Sequence, residues 1–324
     1  MSFDVAALST LEIELTKKCY LSHAIKGCAH CYKDPQHDAS YNDTLDHDII
    51  DDVITSFESI RHLCVNGTEP SMALPQLQQI YDSSMKKKNV GRVTVISNGV
   101  NLKRNRAFLE IIKKFKEKFS VGARWDHGPT LRITEDMYHR EACERLGIDY
   151  DELIADVKEL QAQYPGLIQI NPMTDAPFAK DKSQHHLIYA GRARSLPEET
   201  VFVLPESMPL DVEIWTPEKA SRTDCIGGEP PWVTLAKQGK RVLRLGHLSI
   251  SADGYMVDRA CTHADAKKYN YGSLSAMKMG EFLRTSNFDE LDARHKYSSG
   301  GHYPVEYFAG DRLMTIDEFK SNEM

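Results

Sequence analysis

A chain of 324 residues with 41% hydrophobic and 27% charged residues has the composition of a folded globular protein, long enough for one large domain or for one of about 200 residues with a smaller appendage. Its formal net charge of −7 argues against nucleic acid as a partner, because affinity for a phosphate backbone rests on clustered Lys and Arg. No run of about 18 apolar residues occurs and the N-terminus lacks the basic-then-apolar pattern of a signal peptide, which argues against a membrane partner and points to a cytoplasmic location.

From residue 11 to residue 172 short β-prone runs alternate with polar loops and amphipathic helical patterns, the signature of successive βα units. The predicted strands are 11–15, 62–65, 92–96, 119–124 and 167–171; the predicted helices are 49–57, 74–83, 106–115 and 150–161, where apolar residues recur every three or four positions. Lys86, Lys87 and Lys88, and the later group Lys113, Lys114 and Lys116, read as solvated helix faces. Parallel units with right-handed crossovers give a doubly wound sheet or a full or partial barrel. After Pro172 the alternation fades into a polar loop over 173–185. Residues 199–215 and 241–258 then alternate apolar with polar, with Ala252-Asp253-Gly254 as a hairpin turn. The expected division is 1–198 for the α/β part and 199–324 for a small β-rich module and tail.

Seven cysteines, an odd number, do not suggest a disulfide framework, and three of them are bunched: Cys19, Cys28 and Cys31, spaced C-x8-C-x2-C just after the first strand. Thiolates are soft ligands that suit zinc and iron-sulfur clusters alike. His23, His30 or His37 would complete a closed Cys3His zinc site; a cluster held by three cysteines would keep one iron open; buried or incidental thiols are the third reading. Cys64 and Cys143 lie inside strand and helix patterns and read as buried thiols.

Beyond the cysteines, the order of motifs resembles the radical S-adenosylmethionine (SAM) superfamily. The run Leu11-Glu12-Ile13-Glu14-Leu15-Thr16 with the cysteine loop is similar to that family's first strand and cluster loop. Gly67-Thr68-Glu69-Pro70 is similar to its Gly-Gly-Glu-Pro, Ser97-Asn98-Gly99 to its Thr-Asn-Gly, Arg124-Trp125-Asp126-His127-Gly128 to its Ser-Leu-Asp-Gly, and Gly191-Arg192-Ala193 to a Gly-Arg-Ala after the last core strands. Two departures stand out. Eight residues separate the first two cysteines where the family usually has three, and Thr68 replaces a glycine.

The resemblance covers roughly residues 10 to 195. It implies an α/β fold, a partial (β/α)6 TIM-like barrel, with one 4Fe-4S cluster on Cys19, Cys28 and Cys31. SAM would be cleaved there to a 5′-deoxyadenosyl radical that abstracts hydrogen from a substrate, and an external flavodoxin-like or ferredoxin-like donor would supply the electron. Gly67, Thr68, Glu69 and Pro70 would hold the SAM amino group, and Ser97 and Asn98 the ribose. Arg124 would bind the SAM carboxylate and Asp126 a substrate amine or ribose. His30 and Tyr32 flank the last cysteine, where they would shield the cluster or pack on adenine.

In the C-terminal part, Asp224-Cys225, Asp253-Gly254-Tyr255 through Cys261, and Tyr271-Gly272-Ser273-Leu274 resemble the opening of the SPASM or twitch extension. Two thiolates cannot supply the usual four ligands of an auxiliary cluster, so a degenerate module is expected. Cys225 and Cys261 are candidate hydrogen-atom donors or buried thiols. That extension accompanies peptide-modifying members, which implies a peptide or peptide-like substrate and a cross-linking, epimerising or oxidising reaction. A small-molecule or sugar substrate is the alternative within the superfamily, and a zinc-stabilised binding protein is the alternative outside it.

Overall fold

The structure, a computed structural model, describes residues 2–22, 27–28, 31, 43–119, 130–172, 187–188, 202–203, 212–223, 229–257, 270–286 and 288. Its first half is a series of strand-helix units: β1 (Val5–Ile13), α1 (His47–Ser56), β2 (Ser59–Val65), α2 (Leu74–Lys87), β3 (Val93–Ser97), α3 (Arg106–Phe119), β4 (Leu131–Glu135), α4 (Met137–Arg145), α5 (Tyr150–Gln163) and β5 (Ile168–Pro172). Strands β1 to β5 stand side by side in sequence order and all neighbouring pairs are parallel. Right-handed crossovers between strands in sequence order put every connecting helix on the same face. That excludes the doubly wound alternative and gives an open sheet of partial-barrel type.

The helices form because their apolar residues fall on one stripe and their ends are capped. Asp46, Asp136 and Asp149 each cap a helix N-terminus by accepting a backbone N–H. In α3 the buried stripe is Phe108, Leu109, Ile111, Ile112, Phe115 and Phe119, and Phe115 meets Tyr81 of α2 edge-to-face at 5.7 Å. Successive strand residues point to opposite faces. Leu11, Ile13 and Leu15 join Ile50, Ile54, Leu77 and Ile80 of the helices in one core. Glu12, between them, lies in register with Cys64 and Ser249 and bonds Asn66 and, at 3.5 Å, His247. The sheet therefore buries a polar face as well as an apolar one.

The fourth strand corrects the sequence reading. Residue 119 ends α3, the rest of the predicted run 119–124 lies outside the described residues, and the strand that follows β3 in the sheet is Leu131–Glu135. The apolar stripe that runs through Phe115 to Phe119, four residues apart, keeps the helical period across the start of the predicted strand.

The C-terminal part contributes β6 (Leu187–Ile188) and β7 (Phe202–Val203), which pair with each other, then β8 (Glu213–Trp215), α6 (Pro217–Ser221), α7 (Pro231–Lys237), β9 (Val242–Ile250), β10 (Tyr255–Val257), β11 (Gly272–Ser273) and α8 (Met279–Thr285). Strand β9 runs parallel to β1 along its whole length, from Val5 opposite Val242 to Ile13 opposite Ile250. The sheet order is thus β11-β10-β9-β1-β2-β3-β4-β5, with β8 also on β9. The expected boundary at 198 lies outside the described residues. No helix among the described residues is long and apolar enough to cross a membrane.

The hairpin from β9 to β10 turns at Ser251 to Gly254, as predicted. Gly254 has φ +79°, and a Cβ there would come within 2.8 Å of Ile49 Cδ1 on α1. Gly254→Ala is expected to lower stability by about 1–2 kcal/mol, from left-handed backbone strain with partial relief by Ile49; the urea midpoint measures it.

Candidate functional site

The cysteine loop leaves the C-terminal end of β1 and is closed at its neck. Thr16 and Thr44 form an antiparallel bridge, Leu45 N–H donates to Leu15 O at 2.9 Å, and Lys17 N–H donates to Asp43 O at 3.0 Å. Lys17, 7% exposed, pairs with Asp253 of the hairpin turn at 2.5 Å. The loop that carries the three cysteines is thus closed at its neck on the sheet. Within the loop a 3-10 turn at Tyr20–Ser22 lets Ser22 N–H donate to Cys19 O at 3.1 Å, and Cys31 N–H donates to Cys28 O at 3.2 Å. Cys28 is buried and Cys19 and Cys31 are partly so.

The segment after β2 is laced to the same neck. Glu69 N–H donates to Lys18 O at 3.0 Å, and the Thr68 hydroxyl donates to Thr16 O. The hydroxyl of the residue that replaces the family-like glycine therefore has a hydrogen-bonding use. Gly67 must be glycine for a different reason: φ is +117° and a Cβ would sit 2.8 Å from both Cγ and Oε1 of Glu14.

Glu69 is fully buried. Its Oε1 accepts from Ser71 N–H at 3.1 Å and from Ser97 Oγ–H at 2.8 Å, and its Oε2 accepts from Asn98 N–H at 3.0 Å. Burial pushes its pKa up, and the bonds from Ser71, Asn98 and Ser97 oppose that. Asn98 completes the connection. Its side-chain Nδ2 donates to the Cys19 sulfur at 3.5 Å, and its Oδ1 accepts from Val100 N–H at 2.9 Å. Three motifs far apart in sequence, at the ends of β1, β2 and β3, meet through this one residue.

The thiol of Cys19 is held well above the usual cysteine range, first by burial and then by the negative charges of Glu69, Cys28 and Cys31. Sulfurs that disfavour one another's ionisation in a buried place form a donor set that a cation stabilises, because metal ligands bind as thiolates. Among the described residues no three His, Cys, Asp or Glu side chains are grouped to hold a single metal ion. The fit to a cluster therefore rests on the chemistry and coupling of the three thiols.

The end of β4 carries residues that the sequence reading missed. Asp136 caps α4 and pairs with Nδ1 of His139 at 2.6 Å. Burial pulls the His139 pKa down, but the negative charges of Cys28 and Asp136 outweigh that and raise it well above the ordinary value. Cys143, one turn further along α4, is buried, and burial pushes its thiol up to about 11, which fits the reading as a buried thiol.

The remaining predicted site residues, His30, Tyr32, Arg124, Asp126, Cys225 and Cys261, lie outside the described residues, as does Gly191-Arg192-Ala193. In chain order Arg124 and Asp126 come between α3 and β4. The residues that follow the fourth strand, where the resemblance would put that motif, are Asp136 to His139 instead.

No protein-family model matches this chain, and no curated protein matches it. Several solved structures are similar to it, among them three of one protein. They are a histidine-tagged form of anSMEcpe with bound AdoMet (TM-score 0.47, 13% identity, covering 89% of this chain and 80% of that one), native anSMEcpe with bound AdoMet and Cp18Cys peptide (0.46, 14%, 89% and 82%), and native anSMEcpe with bound AdoMet (0.47, 13%, 98% and 95%). At such identities and TM-scores below 0.5, these likenesses decide neither the fold nor the chemistry of this chain.

Proposed function

We propose that the chain is a radical SAM enzyme in which Cys19, Cys28 and Cys31 hold one 4Fe-4S cluster, and that its substrate is a peptide or peptide-like molecule. The observation that carries this reading is Asn98, which bonds the first cysteine of the trio through its side chain and the buried Glu69 through its backbone. A structural zinc loop has no need of a carboxylate and two strand ends gathered at its first ligand.

When bound, such a cluster supplies an open iron for the amino and carboxylate groups of SAM and the electron that cleaves the sulfonium. The chain's residues do the rest. Glu69 braces the ends of β2 and β3 against each other and sets a negative charge beside the site, as an ammonium group requires. Beyond the bonds they already make, the second N–H of the Asn98 amide and the remaining lone pair of the Ser97 hydroxyl are the groups these residues would offer to ribose hydroxyls. The closed neck at Thr16 and Thr44 holds the loop to the sheet, and burial around Cys19 and Cys28 keeps water away from the sulfurs. The peptide assignment rests on the likeness of the hairpin segment, Asp253-Gly254-Tyr255 and Tyr271 to Leu274, to the SPASM opening. Cys225 and Cys261 are proposed only as candidate hydrogen-atom donors.

The test is anaerobic reconstitution with iron and sulfide, reduction, and incubation with SAM and peptides deuterated at Cα and Cβ. Brown protein that yields 5′-deoxyadenosine, with deuterium transferred into it from a peptide, is the expected result. One zinc and no iron per chain after anaerobic purification, with no SAM cleavage after reconstitution, would overturn the enzyme reading. Transfer from a sugar or other metabolite and from no peptide would replace the substrate class alone.

A further inference from the structure

Strand alternation sorts the sheet into two faces. On β4, Leu131 and Ile133 are fully buried and join the core with the helices, so Arg132 between them points to the opposite, polar face. Register carries that face across the sheet. Glu12 stands opposite Cys64, Cys64 opposite Thr94, Ile96, two residues beyond Thr94, opposite Arg132, and Arg132 opposite Gln169 of β5. Asn98, which bonds the Cys19 sulfur, follows Ile96 by two positions and by the same alternation belongs to this face. Arg132 therefore stands one strand, about 4.8 Å, across from β3 and about 7 Å along it from Asn98.

The protein itself serves Arg132 poorly. Its Nε is buried without a hydrogen-bond partner, and no carboxylate among the described residues pairs with its guanidinium. Two carboxylates of the same face are engaged elsewhere, Glu12 with Asn66 and His247 and Asp136 with His139. An arginine nitrogen that gives up water and gains no acceptor costs stability. Arg132 as a whole is partly exposed and Gln169 beside it is exposed, so a ligand can reach the group that the fold leaves unmatched. A guanidinium takes a carboxylate through two parallel N–H donors.

We infer that Arg132 binds a carboxylate of the substrate, either the C-terminal carboxylate of a peptide or an acidic side chain, and so selects acid-bearing peptides at the polar face beside the cysteine trio. The inference deepens the reading above and rests on it for the peptide nature of the substrate.

The test uses reconstituted, oxidised full-length protein saturated with SAM, which binds without turning over. The probes are fluorescein-labelled heptapeptide mixtures that contain no Asp or Glu, in three forms: a free C-terminal carboxylate, a C-terminal amide, and a C-terminal amide with one central Glu. Fluorescence anisotropy is expected to show at least one acid-bearing form binding the wild type about tenfold or more tightly than the neutral amide, and which form does so identifies the source of the carboxylate. Arg132→Gln is expected to abolish that preference. Arg132→Lys, which keeps the charge and loses the fork, is expected to return part of it. The urea midpoint of Arg132→Gln should equal or exceed that of the wild type, since no contact is lost with the guanidinium, and the affinity for SAM should not change.

A wild type that binds all three forms equally, or none, would overturn the inference, as would a preference that survives in Arg132→Gln. So would a variant that loses SAM and keeps its preference among peptides, because the carboxylate on Arg132 would then be that of SAM. If Arg132→Gln fails to fold, the wild-type comparison and Arg132→Lys decide. Failure of the underlying reading looks different: a chain that takes up no iron and cleaves no SAM, yet prefers acid-bearing peptides through Arg132, keeps the binding site and loses the radical chemistry.

Discussion

Cys28→Ala is expected to give a folded chain that forms no stable cluster and releases no 5′-deoxyadenosine above background. Cys28 is buried in the candidate site: the Cys31 amide donates to its carbonyl, and the Gly27 carbonyl beside it receives Arg145. Two thiols are too few for a stable cluster with an open iron, so iron content and SAM cleavage should fall together. The sheet does not depend on the sulfur, because β1 is held on both sides by β2 and β9. Far-UV circular dichroism should therefore stay at the wild-type level while iron is lost. If instead the variant keeps full iron and activity, Cys28 is not a ligand. If the whole chain unfolds, the loop is a structural element, as in the zinc reading.

Glu69→Ala is expected to be the most damaging single change to the stability of the metal-free protein. The carboxylate is fully buried and satisfies two backbone amides, of Ser71 and Asn98, and the Ser97 hydroxyl. Removing it leaves buried donors unmatched at about 1–3 kcal/mol each, so a loss of roughly 3–5 kcal/mol is expected from urea unfolding. Glu69→Gln keeps an oxygen for Ser71 and Ser97 but turns an amide N–H2 toward the Asn98 amide, which should limit the loss to about 1–3 kcal/mol. SAM binding separates two roles for this residue. A Gln variant that folds but binds SAM weakly would show that the charge, and not only the brace, serves the ligand.

Much of this architecture is legible in the sequence because parallel βα units leave a double trace, an apolar burst for each strand and a three-to-four-residue rhythm for each helix. Leu11 to Leu15, His62 to Val65 and the α5 region carry that trace. The fourth strand does not. Phe119 carries on the stripe of α3, and the five-residue strand Leu131–Glu135 is too short to outweigh the β-prone run before it. That misplacement hides Asp136 and His139, since an Asp three residues before a His has no meaning until the strand end is fixed.

The cysteines, Glu69 and Asn98 are visible because each sits in a motif whose chemistry is local. The pairing of β9 with β1 is not visible. The alternating pattern of residues 241–258 announces a hairpin, but which edge it joins depends on surfaces contributed by residues more than two hundred positions away.

That pairing makes the fold circular in effect. The strand that carries the cysteine loop would be an exposed edge without β9, open to association with other chains. A shortened protein ending near residue 198 would therefore lose the neighbour that shields its most important strand. It is better viewed as an incomplete sheet than as an independent catalytic half, and attempts to trim the chain for expression should keep Val242 to Ile250.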